Sequence, residues 1–148
     1  MSQSSTDAAR AATALVTYSA RLGRATSRVS DIAVPAATLR LLSLLDEVGP
    51  AGVGELAQAD RCSQPTMSGA VRHLVDNGWA RKSPNPYDAR ASLVELTPDG
   101  AAVLAESRRR ISDVLLERLA ADPCHDVADV EAAVRLLQHL LRPQEGTS

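Results

Sequence analysis

An acidic and a basic side chain, Asp88 and Arg90, stand two residues apart in a stretch rich in turn-forming residues. An arginine near the tip of a hairpin can enter a narrow, A·T-rich minor groove of DNA, where negative potential is concentrated. A carboxylate beside it can hold the guanidinium by a charge-assisted hydrogen bond. We therefore expect Arg90 to contact nucleic acid and Asp88 to orient it. Asp88 could also engage Arg81 or Lys82, which lie on the strand predicted before this stretch. The alternative is that Asp88 and Arg90 form an exposed ion pair that has no role in binding.

A second set of polar residues lies on one face of the segment 63–77. On a helical wheel the apolar residues fall on the other face, so this segment is predicted to be an amphipathic helix. Gly69 stands at the centre of the polar face, where it weakens the helix but lets its backbone approach base edges closely. Gln64 suits the edge of adenine and Arg72 the edge of guanine. A polar face that meets only solvent is the alternative.

Three other constellations could carry a different chemistry. Ser68, His73 and Asp76 are the residue types of a hydrolase triad, but consecutive turns of one helix do not give the geometry that a triad needs. No phosphate-binding loop or dinucleotide motif is present either, so we expect no enzyme and no cofactor. Cys124-His125-Asp126 lacks the spacing of zinc ligands, which favours a capped turn at a helix start over a metal site.

Cys62 precedes a predicted helix start and follows Arg61, an environment that favours the thiolate and hence oxidant sensing. A small, buried, apolar side chain is the alternative role for this residue. With Cys124 as the second cysteine, the chain has neither a disulfide framework nor a four-cysteine metal site. Two free cysteines fit a reducing compartment.

The distribution of charge is uneven along the chain. Its 148 residues carry a net charge of −2, yet five basic and two acidic residues between Arg61 and Arg90 give that segment +3. A local basic segment is typical of a phosphate-facing surface, and chance clustering of solvated charges is the alternative. No apolar run reaches the length of a membrane span and no secretory signal opens the chain, so we expect a cytoplasmic protein.

The hydrophobic pattern predicts the elements that position these residues. Helices are expected at about 7–32, from Pro35 to Val48, and at about 53–60, 63–77, 98–120 and 126–142; strands are expected at 79–83 and 92–97, joined by a loop. Two short helices joined by a brief turn indicate a helix-turn-helix, and the hairpin after them makes it winged. The fold class is therefore mainly α with a small β-hairpin wing. The apolar faces of the outer helices predict a symmetric dimer.

Residues 39–100 resemble the MarR family of bacterial transcriptional regulators. The matching stretches are the Leu-rich segment 39–48, GVGELAQAD (52–60), CSQPTMSGAVRHLVDNGWARK (62–82) and YDARASLVELTPDG (87–100). The resemblance implies one domain over residues 1–148, with a winged helix-turn-helix at about 35–97 between N- and C-terminal dimerisation helices at about 7–32 and 98–142. Three departures concern base preference: Gly69 and Ala89 stand where the family often has Arg, and Arg72 where it often has Asp.

By the resemblance, Arg90 is the minor-groove residue, Asp88 orients it, and Lys82 occupies a position where the family often has Arg. Together with the helix, the predicted DNA-binding residues are Ser63, Gln64, Pro65, Thr66, Ser68, Gly69, Arg72, His73, Lys82, Asp88 and Arg90. The family also implies release of DNA by a small aromatic or lipophilic ligand. The candidate ligand-binding residues are Tyr18, Arg21 and Leu42, for which packing and surface charge are the alternative roles.

These inferences predict a homodimeric, sequence-specific, double-stranded DNA-binding regulator of the repressor type, with a near-palindromic operator. The alternative is a winged-helix module whose exposed face binds a protein and not DNA. The net charge of −2 and the substitutions at Gly69 and Ala89 keep this alternative open.

Overall fold

The computed structural model describes residues 3–29 and 34–142 of the chain. The elements follow one another in the order helix, helix, short strand, two helices, hairpin and two helices. They are α1 (Gln3–Val29), α2 (Ala36–Val48), β1 (Ala51–Gly52), α3 (Val53–Ala59), α4 (Gln64–Asp76), β2 (Ala80–Asn85), β3 (Asp88–Leu96), α5 (Pro98–Ala120) and α6 (Val127–Leu141).

The first helix begins earlier than expected, at Gln3 and not near Asp7, and its predicted end near residue 32 lies outside the described residues. Most of its described side chains are exposed. Thr26 is an exception: it is buried, and its hydroxyl donates to the carbonyl oxygen of Leu22 at 3.0 Å. A hydroxyl that bonds back to the preceding turn has its polarity satisfied within the helix.

The core is built from α2, α3, α4 and β3. The leucine stripe predicted for α2 is buried, and the apolar side of α4 packs against it. The largest fully buried side chains are those of Leu42, Leu45, Leu56, Met67, Val71, Leu74 and Val94. Aliphatic side chains therefore fill the interior, as the scarcity of aromatic residues predicted.

Glycines end the two central helices of this core. Gly49 and Gly78 both have φ of +73°, the left-handed region in which a residue without a Cβ is favoured. Gly49 stops α2, and Gly78 follows α4 before the chain turns into the hairpin. Both stops agree with the sequence-based prediction.

The sheet is antiparallel, with β3 in the centre and β1 and β2 at its edges. β1 was not predicted; it pairs Ala51 with Val94 and so joins the start of α3 to the hairpin. The strand β2 is longer than expected and continues through Pro84 to Asn85. Because β2 is an edge strand, a proline, which has no N–H to donate, is tolerated in it.

The contacts divide the chain into two compact units, with the boundary inside α5 between Ile111 and Ser112. The first unit holds the core described above. In the second, Asp126 caps α6 by accepting hydrogen bonds from the backbone N–H groups of Ala128 and Asp129, and α6 buries none of its side chains. Within the described residues, no helix is both long and apolar enough to cross a bilayer.

Candidate nucleic-acid interface

A three-residue turn, 60–62, and the cap residue Ser63 join α3 to α4. Arg61 has φ of +53°, the left-handed region that a residue with a Cβ seldom adopts. The backbone N–H of Cys62 then donates to the carbonyl oxygen of Ala57 at 3.0 Å, which closes the turn. This turn fixes the direction in which α4 leaves α3.

An ion pair connects the same turn to α2. The guanidinium of Arg40 donates to both carboxylate oxygens of Asp60, at 2.7 and 3.2 Å. Arg40 holds the pKa of Asp60 below its ordinary value, and a hydrogen bond from the Cys62 thiol acts in the same direction. Sequence analysis missed this pair because its members lie 20 residues apart, without a local pattern.

The start of α4 is capped as predicted. Ser63 Oγ accepts a hydrogen bond from the backbone N–H of Thr66 at 3.3 Å, and Pro65 occupies the first turn. The hydroxyl oxygens of Ser63 and Thr66 also lie 2.8 Å apart and share a hydrogen bond. The two hydroxyl groups are thus placed side by side at the exposed start of the helix.

The apolar face of α4 is buried and its polar face is open. Met67, Val71 and Leu74 pack into the core. The predicted contact residues of this segment are all exposed; they are Ser63, Gln64, Pro65, Thr66, Ser68, Gly69, Arg72 and His73. A Cβ built at Gly69 would meet no atom within 4 Å, so the centre of this face is bare backbone.

The side chain of Gln64 turns toward α3. A Cβ placed on Gly54 would lie 2.8 Å from Gln64 Nε2, so the glycine leaves the space that this carboxamide occupies. Gly54 is therefore a residue that shapes the interface without belonging to the predicted set. At the other end of α4, His73 meets the Trp79 ring edge-on, with 6.1 Å between ring centroids.

The hairpin of β2 and β3, which we call the wing, differs from the predicted loop. The strands pair Asn85 with Asp88 across a two-residue turn, and Pro84 with Ser92. Residues 89–91 therefore have no counterparts on β2 and form a bulge with Arg90 at its centre. A bulge of this kind redirects a side chain away from the sheet, and Arg90 is exposed.

Asp88 does not hold the Arg90 guanidinium as expected. Its Oδ1 accepts a hydrogen bond from the backbone N–H of Arg90 at 3.0 Å, so the carboxylate fixes the bulge and not the charged group. The side-chain geometry i to i+2 is that of an Asx turn, which competes with longer-range pairing. Asp88 is a backbone cap within the wing.

The two basic residues at the base of the wing have different environments. Arg81 donates to Glu95 across the strands at 2.7 Å, so it does not engage Asp88. Lys82 is exposed and makes no ion pair with any residue that the structure describes. The unpaired positive charges of the wing are thus Lys82 and Arg90.

The hydroxyl group of Thr97 connects the residue just past the end of α4 to the first turn of α5. Thr97 Oγ1 donates to the carbonyl oxygen of Gly78 at 2.6 Å and accepts from the backbone N–H of Gly100 at 3.1 Å. Gly100 is buried directly against the carbonyl oxygen of Trp79. This geometry explains why the sequence V-x-L-T-x-x-G closes the hairpin.

The candidate ligand-binding residues lie in two different environments. The guanidinium of Arg21 lies over the ring of Tyr18, 5.5 Å from its centroid, on the exposed surface of α1. Leu42 is fully buried in the core. A cavity of about 120 Å³ lies between α2 and α4, where Leu41, Cys62 and His73 are among its lining residues, and none of the three candidates lines it.

The turn between α5 and α6 is the predicted capped turn. Asp122 accepts hydrogen bonds from the backbone N–H of Cys124 at 2.7 Å and from His125 Nδ1 at 2.9 Å. Within residues 3–29 and 34–142, no group of three or more His, Cys, Asp or Glu side chains is arranged to hold a metal ion. Cys62 is half-buried and Cys124 exposed, and neither forms a disulfide.

The helix pair α3 and α4, followed by a hairpin on the same core, defines a winged helix-turn-helix protein. The sequence model of the MarR family matches residues 34–92, from just before α2 into β3. This match over the winged helix-turn-helix agrees with the resemblance seen in the sequence.

Individual relatives agree with this assignment. An uncharacterized helix-turn-helix transcriptional regulator of Mycobacterium bovis is 34% identical over 82 residues, which cover 55% of this chain and 57% of the relative. The repressor NicR of Pseudomonas putida is 36% identical over 83 residues, covering 54% of this chain and 52% of that protein. The chain thus matches a little over half the length of these curated relatives.

The fold extends beyond the matched segment. The crystal structure of wild-type MarR from E. coli in its apo form superposes with a TM-score of 0.67, over 90% of this chain and 96% of that chain, at 23% identity. At 23% sequence identity, this structural similarity is evidence for the fold only.

Proposed function

We propose that this protein is a sequence-specific regulator of transcription that binds double-stranded DNA as a homodimer and represses the genes it controls. The observation that carries the proposal is the pairing of two exposed features on one core: the bare polar face of α4 and the bulge that projects Arg90 from the wing. An α-helix fits the major groove, and an arginine suits the narrow minor groove beside it.

The residues of α4 have separate roles in this proposal. Arg72, exposed on the polar face, donates to guanine, and Gln64 at the helix start suits adenine. Gly69 lets the backbone approach the base edges. Ser63, Thr66 and Ser68 donate hydroxyl groups to phosphates or bases, while Pro65 and His73 border this contact surface.

The wing supplies charge. Lys82 and Arg90 are its unpaired cations, and Asp88 holds the bulge that carries Arg90. Because cations that neutralise phosphates release counterions, this contribution weakens as salt rises. The net charge of −2 on the whole chain does not oppose the proposal, since the positive charge is concentrated in the segment that contains α4 and the wing.

Exposed apolar side chains on the outer helices support the homodimer. In α1, Val16 is 71% exposed, and in α6 Leu141 is 81% exposed, with Val130, Val134 and Leu140 also uncovered. The end of α5 and the start of α6 border a shallow hollow of about 430 Å³ lined partly by Leu116 and Val127. A second copy that covered such surfaces would remove apolar area from water.

The proposal also includes repression of transcription and release of the DNA by a small ligand. The name of the relative NicR is that of a repressor, and the family resemblance implies a small aromatic or lipophilic inducer. For the inducer, Tyr18 and Arg21 offer an exposed ring and a cation on α1, whereas the burial of Leu42 restricts that residue to a supporting position.

Selection of bound sequences from random duplexes by the purified chain tests binding and specificity together. We expect a near-palindrome whose two half-sites are centred about 10 base pairs, or roughly 34–36 Å, apart. Affinity for the selected duplex should fall steeply between low and physiological salt. No enrichment at low salt, or a stably monomeric chain in solution, would refute the proposal and favour a protein-binding winged helix.

A further inference from the structure

The tip of the wing carries an aromatic residue that the fold does not use. Tyr87 is 94% exposed and forms, with Pro86, the two-residue turn between β2 and β3. Its phenol ring makes no hydrogen bond or ring contact with any residue that the structure describes. An aromatic side chain ordinarily contributes to a protein by burying a large area, so this one contributes nothing to folding in the free chain.

The backbone beneath this ring is nevertheless fixed. Asn85 Oδ1 accepts a hydrogen bond from the backbone N–H of Tyr87 at 2.9 Å, and Asp88 Oδ1 caps the N–H of Arg90 at 3.0 Å. Two Asx turns therefore hold the tip on both sides of Tyr87, and prolines at 84 and 86 restrict the approach to it. A side chain on a rigid tip loses less conformational entropy on binding than one on a loose loop.

The turn itself does not require tyrosine. Residues favoured in tight turns are Gly, Pro, Asn, Asp and Ser, each for its backbone geometry. Tyrosine brings instead a phenolic O–H, which is a hydrogen-bond donor at neutral pH. The carboxylate of Asp88 already accepts a hydrogen bond from the backbone N–H of Arg90. Arg90 itself lies in the bulge, three residues after Tyr87. The exposed tip of the wing therefore carries a neutral donor and, three residues further along the chain, an unpaired cation, a combination that suits an anionic partner.

We propose that Tyr87 is a further DNA-contact residue, whose hydroxyl donates to a phosphate oxygen at the edge of the minor groove that Arg90 enters. This inference rests on the proposed function. Tyrosine hydroxyl groups are among the donors that bind phosphates in protein–DNA complexes, and such contacts position the protein without reading sequence. Tyr87 adds affinity on every duplex and leaves the preferred sequence unchanged.

Tyr87→Phe and Tyr87→Ala, compared with the parent in a fluorescence anisotropy titration, test this contact. Tyr87→Phe, which removes only the oxygen, should weaken binding at least about tenfold for each protomer, the lower limit for a hydrogen bond to a charged group. The loss should be equal on the selected operator and on an unrelated duplex, and Tyr87→Ala should lose at least as much. Because phenol carries no charge, the dependence of log K on log salt should keep the parental slope, whereas Arg90→Ala should reduce that slope by about two for the dimer, one for each protomer.

Full parental affinity of Tyr87→Phe would overturn the inference, and so would a loss confined to Tyr87→Ala, since the ring and not the hydroxyl would then make the contact. A loss restricted to one operator sequence would overturn it as well, because a phosphate contact is independent of sequence. These results leave the proposed function standing if the parent binds duplex DNA. Failure of the parent to bind any duplex would instead refute the proposed function, and the inference with it.

Discussion

Gly100 in the first turn of α5 lies directly against the backbone carbonyl oxygen of Trp79, where a Cβ on residue 100 would overlap that oxygen and press on Leu96. Trp79 O also accepts a hydrogen bond from the backbone N–H of Thr97 at 3.1 Å. The close approach therefore belongs to the junction between the hairpin and α5. Backbone atoms cannot move aside as a flexible side chain can, so only glycine fits there.

Gly100→Ala is expected to destabilise the protein. The added methyl group must displace backbone on one side or the other, and overpacking of this kind costs about 1–3 kcal/mol or more. Urea unfolding followed by circular dichroism would measure the loss, with Gly69→Ala as the matched control because residue 69 has open space around it. Equal stability of the Gly100→Ala variant and the parent would contradict the contact.

Gly69→Ala should raise stability and lower DNA affinity. An alanine in an exposed helix interior is favoured over glycine by about 1 kcal/mol, and no neighbour opposes the methyl group here. If the bare backbone of α4 meets base edges, that same methyl group stands between them. Urea unfolding and a gel-shift titration of one protein preparation would give both quantities. A stabilised variant with parental affinity would exclude close approach at residue 69.

Arg90→Ala should weaken operator binding while the fold remains intact. Arg90 is an exposed cation at the centre of the bulge, so its loss removes a charge from the interface and nothing from the core. The slope of log K against log salt should fall by about two for the dimer, one for each protomer. Arg10→Ala is the matched control, because Arg10 is an exposed arginine of α1 paired with Asp7 at 3.0 Å. Equal losses from both variants would contradict a specific role for the wing.

Replacements of Asp88 distinguish a backbone cap from a charged orienter of Arg90. Asparagine keeps the side-chain oxygen that accepts the Arg90 N–H, so Asp88→Asn should retain DNA binding, whereas Asp88→Ala should weaken it. Since DNA is a polyanion, removing a negative charge from the wing should not lower the affinity of the Asp88→Asn variant for DNA and could raise it. The two variants would be compared with the parent by gel shift. A loss of affinity in Asp88→Asn equal to that in Asp88→Ala would instead show that the charge of Asp88 is needed, as expected if it orients the Arg90 guanidinium.

The turn between α5 and α6 should respond to pH. The hydrogen bond to Asp122 raises the pKa of His125 above its ordinary 6.5, while the Cys124 N–H and His125 lower that of Asp122 below 3.8. A raised histidine pKa stabilises the protein below the unfolded value, and this contribution disappears as pH rises through the folded value. The lowered aspartate pKa acts above the unfolded value and is lost on acidification. The pair is thus strongest between roughly pH 4 and 6.5.

NMR titration of the His125 ring measures this coupling directly. Its midpoint should lie above 6.5 in the parent and move downward in Asp122→Asn, which cannot offer a negative charge. An unchanged His125 midpoint in the variant would show that the pair does not form in solution.

Much of the fold could be predicted because local signals agreed. Ser63, Pro65 and Gly78 mark both ends of α4, and the apolar residues between them repeat at helical spacing. The strand β1 gave no such signal, since a strand of two residues, Ala51–Gly52, is too short for any alternation. The extent of β2 was missed because Pro84 argues against a strand unless that strand lies at an edge, and edge position is a tertiary property.

The exposure of the predicted contact residues followed from the sequence, whereas the hydrogen bonds of the wing did not. Residue types and spacing singled out Asp88 and Arg90, but both the backbone N–H and the guanidinium of Arg90 were available donors. The bulge decides between them by bringing the N–H within 3.0 Å of Asp88 Oδ1. The Arg40–Asp60 pair and the fit of Gln64 over Gly54 depend on how α2, α3 and α4 meet, which no single segment encodes.

The hydroxyl group of Thr97 has a mechanical consequence. It bonds at once to Gly78, just past the end of α4, and to Gly100 inside α5. The Gly100 backbone also lies against the carbonyl oxygen of Trp79, so the end of α4 and the first turn of α5 meet at one tightly packed junction. We expect a displacement of the start of α5 to be felt at the end of α4 through this junction.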